Sequence, residues 1–135
     1  MVPLAPAEPA AGSETPLAAG EPGKAAANDN YGVAALASRL MENGADRAIL
    51  VSPEGYAGAA ASVALTRTLA DRGLRAVLVD LSNDGAASKR MLEDADCPGI
   101  TDLLSASSSY SDVIYSDAVT AAHVIPIGIA DPERA

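Results

Sequence analysis

The reading of the fold turns on the stretch Arg47-Ala48-Ile49-Leu50-Val51-Ser52-Pro53-Glu54-Gly55-Tyr56-Ala57-Gly58-Ala59-Ala60 and on its continuation as far as Asp80. A short apolar run ends in a glycine-bearing turn, and an alanine-rich amphipathic segment from Ala59 to Arg72 comes next. A second apolar run, Ala76-Val77-Leu78-Val79, then ends in an acid, Asp80, which suits a cap of the following loop as well as a ligand role. That order predicts one βαβ unit. Ile49, Leu50 and Val51 are continuous rather than alternating, the pattern of a strand buried on both faces, so helices are expected on both sides of the sheet. Gly73 is placed to cap the helix in the left-handed region before the chain returns as a strand. So short a crossover makes the two strands parallel.

Upstream, residues 1–30 are rich in Ala, Pro and Gly and poor in large apolar side chains. They cannot bury enough surface to offset the entropy of ordering and are read as a disordered linker, which suggests something attached upstream. From Tyr31 the pattern changes. Val33, Leu36, Ala37, Leu40 and Met41 recur at helical spacing and predict an amphipathic helix closed by Gly44. Residues 31–135 are therefore the expected folded domain.

Downstream of Asp80 lies a polar loop, Ser82-Asn83-Asp84-Gly85, and then a short helical stretch over residues 86–92. Pro98-Gly99 breaks the chain. Thr101 or Asp102 is placed to begin a turn holding Leu103 and Leu104, and Ser111 to cap another holding Val113 and Ile114. His123-Val124-Ile125-Pro126-Ile127 reads as a third strand. The predicted architecture is thus a three-layer α/β domain with a mostly parallel sheet, its strands near residues 48–52, 75–80 and 123–128. Three strands make a small sheet for this class and leave an edge open. The chain is expected either to cover that edge by self-association or to be a truncated piece of a longer protein.

Composition narrows the function. With 18 acidic and 9 basic residues the net charge is −9, which argues against nonspecific binding to nucleic acid or an anionic membrane surface. No apolar run approaches the roughly 20 residues of a membrane helix, and the N-terminus lacks the pattern of a signal peptide, so the chain reads as soluble and cytoplasmic. There is no Phe or Trp, so the core must rest on Val, Ile and Leu with small residues between them. One cysteine, Cys97, forms no internal disulfide and fits a reducing compartment. His123, with no second His to build a metal site, is read as structural, and no metal ligands are assigned. Tyr56 is read as filling the space a nucleotide would take, meeting a partner, or packing in an ordinary solvent-facing way.

A glycine-bearing turn that opens a helix is a phosphate-holding device. If this one is a P-loop, the position of its lysine is Ala59 and that of its magnesium-binding hydroxyl is Ala60. The order of segments resembles the cytoplasmic tyrosine-kinase-like domain of bacterial exopolysaccharide co-polymerases, P-loop NTPase-like proteins attached to chain-length determinant membrane domains. Glu54 and Gly58 match the family's loop. Asp80 keeps the first acid of its D-x-D motif, Pro98-Gly99-Ile100-Thr101-Asp102-Leu103-Leu104 matches its P-G-L-[ST]-D-[VL]-L stretch, and His123-Val124-Ile125-Pro126-Ile127-Gly128 matches a later strand. The resemblance covers residues 47–135.

It implies a degenerate nucleotide site. Glu54, Gly55, Gly58, Ala59, Ala60 and Asp80 would be its vestigial phosphate and magnesium positions, with no catalytic residue and ATP with magnesium bound weakly at most. It further implies a non-catalytic pseudo-kinase serving polysaccharide assembly or export. Polysaccharide-assembly proteins or a membrane co-polymerase domain would be its partners, in a parent protein at the inner membrane. The same residues permit a second reading. Gly55-Tyr56-Ala57-Gly58 followed by Asp80 at the next strand end is a partial fingerprint of a Rossmann-like dinucleotide-binding domain of an oxidoreductase, with two of its three glycines.

Overall fold

The computed structural model describes residues 22–53, 56–94 and 96–135, and the side chains among them from Gly32 onward. The chain divides into two units, the second being Val33–Ala135. The first helix, α1, runs Pro22–Glu42. Of the expected linker, residues 1–21 lie outside the described residues and residues 22–30 form the beginning of α1. Within the second unit, Ala37 of α1 is fully buried. Arg72 ties this end of α1 down by donating to Ser38 Oγ at 2.9 Å and to the Ala34 carbonyl at 3.4 Å.

The helix after the glycine-bearing turn is α2, Tyr56–Asp71. Its end is the predicted one: Gly73 has φ +93°, and the Leu74 N–H closes back on the Leu69 carbonyl at 3.1 Å. The chain returns as β1, Val77–Val79. After the polar loop come three short helices, α3 (Ser88–Met91), α4 (Ile100–Leu104) and α5 (Tyr110–Val113). Two strands complete the set, β2 (Tyr115–Ser116) and β3 (His123–Ile125). The sheet is three-stranded in the order β1-β3-β2. β1 lies parallel to β3 with Leu78 opposite Val124, and β2 lies antiparallel to β3 with Tyr115 opposite Val124.

The core sits on one face of this sheet. Val63 and Ala70 of α2, Ala87 and Met91 at α3, Leu78 of β1, and Ala122 and Val124 of β3 form one buried cluster, with Ala59 and Tyr115 packed against it. Side chains alternate along a strand, so Val77 and Val79 point to the opposite face. Each remains 42% exposed, although Ile125, opposite Val79 on β3, is buried.

Three sequence expectations are corrected here. The fold is not a three-layer, mostly parallel, P-loop NTPase-like sheet; it is a small, mostly helical structure around a mixed sheet with one parallel and one antiparallel pairing. Residues 48–52 form no strand. They run as irregular chain with Ile49 90% and Val51 86% exposed, so the predicted βαβ unit lacks its first strand. β2, absent from the sequence reading, takes the other side of β3 instead. The physical reason is that a strand is stabilised by its cross-strand neighbours and by burial, and an apolar run that finds neither gains nothing from its local preference.

Candidate functional site

The residues singled out from the sequence belong to the turn before α2 and to the end of β1. Glu54 and Gly55 lie outside the described residues. Gly58 stands in the first turn of α2, where its lack of a side chain is a steric requirement, since a Cβ there would collide with the side chain of Ser52. The incoming chain can therefore lie close against the start of the helix. Ala59, the position of the absent lysine, packs against the hydrophobic core cluster, and Ala60 is half-buried beside it. Tyr56 is exposed at the helix start, with the guanidinium of Arg90 stacked 5.9 Å from its ring centroid. That contact brings α3 next to the beginning of α2.

Asp80 is buried at the end of β1, and its carboxylate is already occupied. Oδ1 accepts from the Ser82 backbone N–H at 3.0 Å and from the Ser82 hydroxyl at 2.6 Å. Oδ2 accepts from the N–H of Ser88 at 2.8 Å. Burial pushes the carboxyl up, but these bonds outweigh it and hold it below the usual carboxylate range. The Ser88 hydroxyl in turn donates to the Gly85 carbonyl at 3.0 Å. Asp80 thus closes the polar loop and anchors α3.

A second polar centre joins the two downstream stretches noted in the sequence. The N–H groups of Ile100 and Thr101 donate to the carbonyls of Pro126 and Ile127 at 2.8 and 2.9 Å. Asp102 Oδ2 accepts from the Gly99 N–H at 2.8 Å and from the Ile129 N–H at 2.9 Å. One buried carboxylate therefore ties the start of α4 to the segment that leaves β3. Beside it the Thr101 hydroxyl is buried with no partner among the described residues. Tyr115 closes the same region by donating its hydroxyl to the Pro98 carbonyl at 2.9 Å. Burial first, then Cys97 and the carboxylates of Asp102 and Asp112, push that phenol up to about 12.

A further polar contact lies in no motif. Arg67 of α2 meets Asp117, just after β2, through a two-point pair: Nε to Oδ2 at 2.9 Å and Nη2 to Oδ1 at 2.7 Å. Asp117 also accepts from the Thr120 N–H and hydroxyl at 2.9 and 2.8 Å. Burial raises its pKa, yet the bonds from Arg67 and Thr120 prevail and bring it down to about 2. The partners are 50 residues apart in sequence, beyond the reach of local spacing rules. Arg67 Nη2 donates as well to the Arg90 carbonyl at 3.1 Å, so α2, α3 and the turn after β2 are held by one guanidinium.

His123 lies half-buried in β3, its N–H donating to the Ala76 carbonyl at 2.9 Å. Among the described residues there is no group of three or more His, Cys, Asp or Glu side chains placed to hold a metal ion. Nor, among them, is any helix long and apolar enough to cross a membrane. No family model, no curated protein and no solved structure matches this chain.

Proposed function

We propose that the chain acts by binding other proteins, as a non-catalytic domain serving the assembly or export of an exopolysaccharide. The observation that carries the non-catalytic half is the engagement of Asp80. A magnesium-holding or ribose-holding acid directs its oxygens at its ligand, whereas both oxygens of Asp80 are turned to Ser82 and Ser88 of its own loop, which take three of its roughly four acceptor sites. Ala59 adds to it: the position that would carry the phosphate-neutralising cation is turned to the core. The polysaccharide setting rests on the ordered resemblance of the loop, Asp80 and the two downstream stretches. Those two stretches are the ones that Asp102 and the Ile100 and Thr101 N–H groups join.

Titration calorimetry with ATP and magnesium tests the first half. Each lost charge-assisted contact is worth roughly 1.5–3 kcal/mol, so two together weaken binding by about a hundredfold or more. The expected result is affinity no tighter than about millimolar. Micromolar binding of ATP would overturn the non-catalytic reading, and micromolar binding of a nicotinamide dinucleotide would put the oxidoreductase reading in its place. For the second half, deleting residues 33–135 from the gene is expected to change the amount or chain length of secreted polysaccharide. Unchanged polysaccharide would remove that setting.

A further inference from the structure

We propose that two copies of this chain associate by reciprocal strand addition, each laying residues 48–51 antiparallel along the open edge of the other's β1. Each chain holds both halves of such a contact. Residues 48–51 are apolar and irregular, with Ile49 and Val51 almost fully exposed, and their backbone groups have no hydrogen-bond partner among the described residues. The receiving edge is defined by the β1–β3 ladder. The His123 N–H donates to the Ala76 carbonyl and the Asp80 N–H to the Ile125 carbonyl, so Ala76, Leu78 and Asp80 turn their backbone groups toward β3. Val77 and Val79 therefore turn theirs outward, and among the described residues nothing pairs with them.

Register and direction are fixed by side chains and charge. With Val51 opposite Val77 and Ile49 opposite Val79, both pairs exchange two backbone hydrogen bonds. The exposed side chains of Ile49 and Val51 then join the half-exposed Val77 and Val79 on one face, while Leu50 falls beside Leu78. Pro53 comes opposite Arg75, where it has no N–H to give, and ends the ladder. A parallel approach with Ile49 beside Val77 would set Arg47 against Arg75. The antiparallel one separates the two arginines and carries Arg47 to Leu81, next to the loop that bears Asp84. Because segment and edge come from the same sequence, one two-fold axis satisfies both twice.

Sedimentation of the full chain under reducing conditions, from micromolar to near-millimolar concentration, tests this. The expected result is a concentration-dependent dimer. Ile49→Pro disables the segment. Val79→Pro disables the edge while leaving the Leu78 and Asp80 bonds to β3, and each substitution should weaken self-association by about a hundredfold or more. Mixing the two variants is expected to restore a heterodimer through the one intact segment and the one intact edge. Should Val79→Pro fail to fold by circular dichroism, Val79→Lys blocks the same edge. A wild-type chain that stays monomeric throughout would overturn the proposal and leave the edge to a different chain. A dimer that survives both substitutions would overturn it as well.

Discussion

Arg47-Ala48-Ile49-Leu50-Val51 and Arg75-Ala76-Val77-Leu78-Val79 are almost the same peptide, differing only in Ile for Val at the third position. The second forms β1, and the first forms nothing regular. Intrinsic preference cannot account for this, since Ile and Val are equally suited to a strand. Surroundings can. The second peptide has α2 folded back over its Leu78 face, β3 bonded along one side, and Asp80 fixing the chain just beyond it. The first has a helix start at one end and solvent along its length. A strand here is made by its neighbours, and the apolar run is only a candidate for being chosen.

Matched truncations in the two peptides give the sharpest contrast. Leu78→Ala empties a position within the buried cluster that also holds Val124 and Met91, and it is expected to cost about 2–5 kcal/mol in denaturant unfolding. Leu50→Ala at the equivalent place is expected to cost well under about 1 kcal/mol in dilute solution. Equal losses would mean that the two peptides share one environment, and the comparison would fail.

Next in size is the contact that gives β1 its scaffold. Asp117→Asn leaves Arg67 without its charge partner where α2 meets the turn between β2 and β3, a loss expected near 2–3 kcal/mol. The same pair sets an acid limit. The pKa of Asp117 is about 2 in the folded protein, against roughly 3.9 for an unfolded aspartate. A carboxyl depressed by folding contributes stability that is present above the unfolded value and is lost as pH falls through the folded one. Asp80 is shifted in the same direction. Unfolding free energy is therefore expected to decline between about pH 4 and pH 2, and the Asp117→Asn variant to decline less steeply over that window. Parallel acid titrations of the two proteins would detract from this account if their slopes coincided.

The contrast also explains how much the sequence could reveal. β1 and β3 were legible because each apolar run is bounded by polar or turn residues, and the end of α2 was legible from Gly73, whose position needs no tertiary information. The strand expected at residues 48–52 carried the same local signal and failed for want of a partner. β2 is two residues long, and Tyr115-Ser116 has no periodicity to read. At the candidate site, the place of Asp80 at a strand end was visible. Capping of the following loop and a ligand role were equally open to it, because Ser82 and Ser88 reach its oxygens only once the loop has closed. The pairing of Arg67 with Asp117 depends on two elements meeting across the fold, and Asp102 was visible as a candidate start of a helical turn and a letter of a familiar stretch, but not as the tie between Gly99 and Ile129.

The smallest expected effect is the most demanding test of the difference between the two peptides. Ile49→Ser replaces a large apolar side chain that is 90% exposed. Its methyl groups gain almost nothing from burial in the single chain, so the change removes no packing and opens no cavity. Unfolding measured at high dilution should therefore shift by less than about 0.5 kcal/mol. The same substitution at Val77, half-shielded against the sheet, should cost more, because part of that side chain is already withdrawn from water. If Ile49→Ser costs about 2 kcal/mol in dilute solution, residues 48–51 are packed within their own chain, and the two near-identical peptides are both strands after all. A small effect at dilution that grows with protein concentration is the other informative outcome. It would locate the burial of Ile49 between copies, where the contact is made only when two chains meet.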